Sequence, residues 1–107
     1  MPEDVQIMVV AGLFQARTGK VAELAGVLAR YVVLTRQVSG CRNVDLVAST
    51  ATPGRFLVIE KWDDDVAQRA HLDSPVMVGM ATDAKPLLAS APDLDLYEPI
   101  SAQDLEQ

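Results

Sequence analysis

The 107-residue chain is poor in the residues that build disulfides and structural metal centres. It has one cysteine, Cys41, and one histidine, His71. A lone cysteine closes no internal disulfide, and a single Cys with a single His falls short of the ligand set of a structural metal site. Aromatic residues are also scarce: one tryptophan, Trp62, two phenylalanines and two tyrosines. Positive charge is in short supply, with nine Lys and Arg against fifteen Asp and Glu and a formal net charge of -6. Such a surface repels phosphate backbones and anionic headgroups, so neither nucleic acid nor membrane is an expected partner. Long unbroken apolar runs are missing as well. Val21 to Leu34 is cut by Glu23 and Arg30, and the apolar N-terminal stretch follows Glu3 and Asp4, where a secretory signal places positive charge. The expected setting is a reducing cytoplasm.

What is present is an apolar half of the composition, enough for one real core. A chain of this length buries about 60–65% of the surface that its unfolded form exposes. One domain over 1–107 is therefore expected, with its core about 5–99 and a polar tail from 100 to 107. Val5 to Phe14 is apolar on both alternating sets, the pattern of a strand covered on both faces. After the turn QARTGK, the apolar positions Val21, Leu24, Leu28, Tyr31 and Val38 fall on one helical face, and Gly40 is placed as a left-handed cap. CRNVDLVAS and RFLVIEKW alternate with period two around the turn Thr52 to Gly54, which predicts a hairpin.

Asp65 and Gln68 fit a loose capping box, with Val66, Ala67, Ala70 and His71 on one helical side. Ser74 and Pro75 then restart a helix whose apolar face, with Met77 and Met80, runs to Pro86. A last strand follows in PDLDLYEP. The order strand, helix, strand, strand, helix, strand predicts an α+β, ferredoxin-like βαββαβ fold with an antiparallel sheet. The helices cover one face of that sheet, and the apolar side chains on the other predict a homodimer packed sheet to sheet.

The stretch FLVIEKWDDDVAQRAHLDSPV holds both rare residues. On a strand, Glu60 and Trp62 point the same way, and His71 on the apolar side of the next helix turns toward them. One reading makes His71 a base or donor to an acidic organic substrate, with Trp62 as an aromatic wall and Glu60 orienting the imidazole. The other has His71 and Glu60 satisfy each other beneath the helix while Trp62 fills core volume. Residue types alone leave both open.

Gly40 and Cys41 before a strand, then FLVIEKW, then AHLDSP, resemble the antibiotic biosynthesis monooxygenase family of dimeric α+β barrels. The resemblance spans the first strand through Tyr97. It implies an enzyme that works without metal or flavin: a phenol or hydroquinone loses a proton, gives an electron to O2 and recombines with it to yield a quinone. Glu60, Trp62 and His71 occupy the family's E-x-W and H-x-x-S/T-P positions and form the candidate catalytic trio. The ending of helix one, Gln37-Val38-Ser39-Gly40-Cys41, departs from the family's E-P-G-C. Haem-degrading relatives carry an asparagine in the first strand, a tryptophan where this chain has His71, and a haem-ligating histidine further along; this first strand has no asparagine and the downstream helix no histidine. These differences disfavour haem as a cofactor.

Phe14, Asn43, Met77, Met80 and Tyr97 are the expected substrate-pocket residues; Tyr31 is a further hydroxyl able to reach a quinone oxygen or to close the core. Cys41 without a basic cluster reads as inert, and Asp63 to Asp65 as helix-start carboxylates instead of a metal site. Two other classes stay open on this scaffold: a non-catalytic small-molecule-binding or dimerisation module, and an isomerase or lyase using the same pocket without oxygen.

Overall fold

A computed structural model describes residues 7–100. Strand β1 (Met8–Gln15) leads to helix α1 (Val21–Thr35), then to the hairpin of β2 (Cys41–Ala48) and β3 (Arg55–Trp62). Helices α2 (Asp65–Leu72) and α3 (Pro75–Ala84), a 3-10 turn (Lys85–Leu87) and strand β4 (Asp93–Tyr97) complete it. The sheet order is β2-β3-β1-β4, and every pairing is antiparallel. This is the ferredoxin-like arrangement that the sequence predicts, with its second helix broken before Pro75. Val5 and Gln6, assigned to the first strand from sequence, and the tail from 101 to 107 lie outside the described residues.

Period-two alternation sets the inner face of the sheet. Phe56, Val58, Glu60 and Trp62 are all buried along β3, and β1 places Val10 opposite Glu60, Gly12 opposite Val58 and Phe14 opposite Phe56. Leu24, Leu28, Tyr31 and Val32 of α1 close over this face, joined by Met80 and Ala84 of α3. Each large apolar side chain buried here contributes roughly 1.5–3 kcal/mol. On the opposite face Val9, Ala11, Leu57 and Ile59 are half-buried, and Leu13 and Val47 are exposed.

Three local expectations are corrected. Helix α1 ends at Thr35, so Val38 is not on it; Arg36 follows as its cap, and both Nε and Nη2 of Arg36 donate to the Val44 carbonyl, at 3.1 and 2.9 Å. That fork turns the chain away from the helix toward β2 before the apolar spacing runs out. Gly40 does adopt the left-handed region, φ +87°, but it shapes the entry to β2 and does not cap α1. A Cβ there would lie 2.5 Å from Ala67 Cβ, so glycine is required for space as well as for φ. Helix α2 is capped by Asp64, whose Oδ1 accepts from the Ala67 N–H at 2.9 Å, and not by Asp65. Its inner face is then Gln68 and His71, while Val66 and Ala70 are exposed.

Candidate active site

Glu60 and Trp62 reach the interior from β3, Tyr31 from the middle of α1, and His71 from the last turn of α2; all four are buried. Ser74, the N-cap of α3, stands at the break between the two short helices. The break has a positional effect: it brings a hydroxyl three residues after His71 back under the imidazole.

The five side chains form one continuous chain of hydrogen bonds. The Trp62 indole donates to Glu60 Oε1 at 3.0 Å, and the Tyr31 hydroxyl donates to Glu60 Oε2 at 2.5 Å. Tyr31 has then used its only proton, so the 2.8 Å contact between its oxygen and His71 Nε2 requires an N–H on the histidine. In the neutral ring that burial favours, His71 Nδ1 is then the acceptor nitrogen, and it faces Ser74 Oγ at 3.3 Å. Ser74 Oγ accepts from the Met77 N–H at 3.2 Å, which leaves its own proton for Nδ1. Trp62 also packs against the imidazole, ring centroids 4.7 Å apart and planes inclined by 35°.

The electrostatics agree with this assignment. Burial holds His71 below its ordinary 6.5, and the Glu60 charge acts in the opposite direction. The Tyr31 phenol is pushed far above its ordinary 10.0, first by burial, then by the charge of Glu60 and the hydrogen bond to it. Tyr31 thus stays protonated and relays charge instead of supplying a base. Burial, followed by the Glu60 charge, also raises the Cys41 thiol, which keeps it protonated and a poor nucleophile.

Beside the network lies a cavity of about 180 Å³, lined by Tyr31, Glu60, Gln68, His71 and Asp95 together with mainly apolar residues. Phe14, Met77 and Met80 line it, as the sequence suggested. Asn43 and Tyr97 do not. Asn43 stands opposite Lys61 and Tyr97 opposite Val9, so both belong to the outer face, with the sheet between them and the cavity. Both are exposed, and Asn43 Nδ2 donates to Asp45 Oδ2 at 3.1 Å. An irregularity in β2 between Cys41 and Asn43 sets that parity.

The expected direct pairing of Glu60 with His71 is replaced by a bridge through Tyr31. Sequence reasoning missed three contributors: Tyr31 as the bridge, Ser74 as the partner of Nδ1, and Gln68 as a lining residue. A signal existed for Gln68, which lies three residues before His71 on the same helix and so shares its side; Ser74 lies beyond the end of that helix, and its approach to His71 depends on the break before Pro75. Gly12 forms part of the cavity floor, where a Cβ would stand 2.8 Å from Leu94 Cδ2 and 3.1 Å from Phe14 Cε1. Among the described residues there is no cluster of three or more His, Cys, Asp or Glu able to hold a metal ion, and no helix is long and apolar enough to cross a membrane.

Solved structures share this architecture. Rv0793 from Mycobacterium tuberculosis superposes with a TM-score of 0.85 at 22% identity, over 92% of this chain and 99% of that one. A Deinococcus radiodurans protein that carries the name antibiotic biosynthesis monooxygenase is 27% identical, with a TM-score of 0.82 over 89% and 94% of the two chains. Protein SO0527 from Shewanella oneidensis is 25% identical, with a TM-score of 0.82 over 90% and 93%. No curated protein matches the chain. The sequence profile described as antibiotic biosynthesis monooxygenase matches residues 7–82, which includes β1, Tyr31, Glu60, Trp62 and His71, and the chain belongs to that family.

Proposed function

We propose that the protein is a cofactor-independent monooxygenase that oxidises a phenolic or hydroquinone-type aromatic compound with O2. The observation that carries this reading is the buried His71 imidazole at a largely apolar cavity, with Nδ1 held only by the 3.3 Å contact to Ser74. That is the longest contact in the chain of hydrogen bonds, and a substrate hydroxyl can take its place.

Proton transfer from the hydroxyl to Nδ1 gives an imidazolium whose Nε2–H still donates to Tyr31, and Tyr31 in turn donates to the Glu60 carboxylate. The positive charge is thereby balanced across one phenol. The electron-rich substrate anion passes one electron to O2, and the radical pair recombines with formation of a C–O bond. The resulting peroxide takes back the proton and loses water, so that the hydroxyl hydrogen and one ring C–H hydrogen leave as H2O with one oxygen atom of O2, and the other oxygen becomes a new ring carbonyl. The protein supplies the base, the charge balance and a dry site, and the substrate supplies the electrons.

The test is O2 uptake by the wild-type protein with a panel of hydroquinones and anthrones. Uptake with formation of the corresponding quinone is expected; background rates with every member would sink the reading. A non-catalytic binding module is the second reading, favoured by the fact that both ring nitrogens of His71 already have protein partners. It predicts that the same compounds bind without any uptake.

The reading includes a homodimer packed sheet to sheet. Val9, Ala11, Leu13, Val47, Leu57 and Ile59 present a contiguous apolar surface on the face that the helices leave open, and monomeric proteins rarely expose one of this kind. Light scattering at low micromolar concentration is expected to give twice the 11.5 kDa mass of the chain, and a clean monomer mass would remove the dimer. A cytoplasmic setting, where the single thiol stays reduced, goes with this reading.

A further inference from the structure

The His71 cavity does not end at Met77 and Met80. Together with Phe14 and Leu94, these methionines also line a second cavity, of about 500 Å³. Its remaining walls are mainly apolar, from Ala81, Ala84 and Leu88, and two exposed cations, Arg17 and Lys85, stand at its edge.

The two cations differ from three others in the chain. Lys20, Arg42 and Arg69 are paired with Glu23, Asp63 and Asp65. Arg17 instead is anchored by its Nε, which donates to the Leu88 carbonyl at 2.9 Å, and its backbone N–H donates to the Leu87 carbonyl at 2.8 Å. That leaves the two terminal guanidinium nitrogens held in place without a carboxylate among the described residues. Lys85 has no ion-pair partner among them either. In a chain with a net charge of -6, two cations without a carboxylate partner among the described residues, beside one apolar cavity, have the chemistry to attract an anion.

Size points the same way. Sites for small organic molecules typically span about 300–1,000 Å³. The inner cavity, about 180 Å³, falls below that range and takes little more than the reacting ring. The rest of a substrate has to pass the methionine wall into the larger space, and methionine is the side chain best suited to give way.

We propose that the two cavities form one elongated site, and that Arg17 and Lys85 bind a carboxylate at the far end of a polycyclic aromatic substrate whose reacting ring lies beside His71. The proposal rests on the monooxygenase reading for the identity of the near end; the anion site rests on its own geometry.

The probes are anthrone-2-carboxylate and its methyl ester, with binding followed by calorimetry and O2 uptake measured in parallel. The acid is expected to bind about tenfold more tightly than the ester, the value of one charge-assisted hydrogen bond. The double variant Arg17→Gln/Lys85→Gln is expected to abolish that preference, read as the ratio of acid to ester affinity within the variant. Because Arg17 also holds the Leu88 carbonyl, the single variant Lys85→Glu, at an exposed position, provides an independent arm; it is expected to reverse the preference toward the ester. Equal affinity for acid and ester in the wild-type protein overturns the proposal, as does an equal loss for both ligands in Lys85→Glu, or failure of the acid to bind. A carboxylate preference without O2 uptake removes the monooxygenase reading and leaves the anion site standing. Uptake that is indifferent to the carboxylate does the reverse.

Discussion

Replacing His71 by alanine is expected to lower turnover by about 10²–10⁴-fold, the usual contribution of a positioned general base. The stability change should be far smaller. The substitution deprives the Tyr31 oxygen and the Ser74 hydroxyl of one partner each, but Tyr31 still donates to Glu60 and Ser74 still accepts from Met77. A cost of about 2 kcal/mol follows from one or two weakened buried hydrogen bonds and a small void, or a fall in Tm of roughly 10 °C. Losses of activity and fold in equal proportion would return His71 to a structural role. A second signature separates the two roles further. The folded state holds His71 below its ordinary 6.5, so between that lowered value and 6.5 the unfolded chain binds more protons than the folded one. Stability therefore falls as the pH drops below 6.5, and is recovered above it. His71 is the only histidine, so this slope in chemical denaturation belongs to one residue and is expected to vanish in His71→Ala.

Glu60→Gln is expected to be the more informative substitution, because it reverses the direction of the whole network at almost constant volume. The Trp62 indole can only donate, so it claims the amide oxygen. The amide NH2 then faces Tyr31, whose oxygen must become an acceptor and whose proton must turn toward His71 Nε2. His71 responds by carrying its proton on Nδ1, where it donates to Ser74 Oγ. The Trp62 bond keeps its sense, and those running from position 60 through Tyr31 and His71 to Ser74 survive inverted, so the variant should fold, with a loss of about 1–2 kcal/mol for exchanging charged for neutral acceptors. The acceptor nitrogen that the proposed chemistry needs is gone, and with it the negative charge that balances an imidazolium. Turnover should fall at least 100-fold. Nitrogen NMR of the single histidine reads the tautomer directly: Nε2–H in the wild-type protein, Nδ1–H in Glu60→Gln. An unchanged tautomer would break the assignment of the network.

Much of this fold was legible because its strongest signals are local. Alternation along Phe56, Val58, Glu60 and Trp62 named the inner face of β3 and placed the carboxylate beside the indole, and Ser74-Pro75 announced the break in the second helix. What stayed hidden is what depends on how elements sit on one another. Tyr31 lies 29 residues from Glu60 and 40 from His71 in the chain, and nothing in the periodicity of α1 states which turn of the helix rests above which residue of the sheet. Asn43 and Tyr97 were assigned to the pocket by residue type, whereas strand parity puts both on the outer face. The run Asp63-Asp64-Asp65 offers three equivalent caps, and only the backbone path chooses Asp64. Helix α2 misled for a related reason: its most apolar residue, Val66, is 76% exposed, while the polar Gln68 and His71 face inward to line a cavity.

Tyr31 joins three separately folded pieces through one oxygen atom, and this bears on motion. A helix of eight residues such as α2 is marginal by itself and would ordinarily fray or lift on its own. Lifting it here strips the Tyr31 oxygen of its histidine partner and admits water to a carboxylate held by two buried donors. Opening of the helix therefore carries the cost of that buried bond besides its own fraying, and the amides of α2 should exchange more slowly in the wild-type protein than in His71→Ala. One phenol oxygen thus sets how readily the site opens to water.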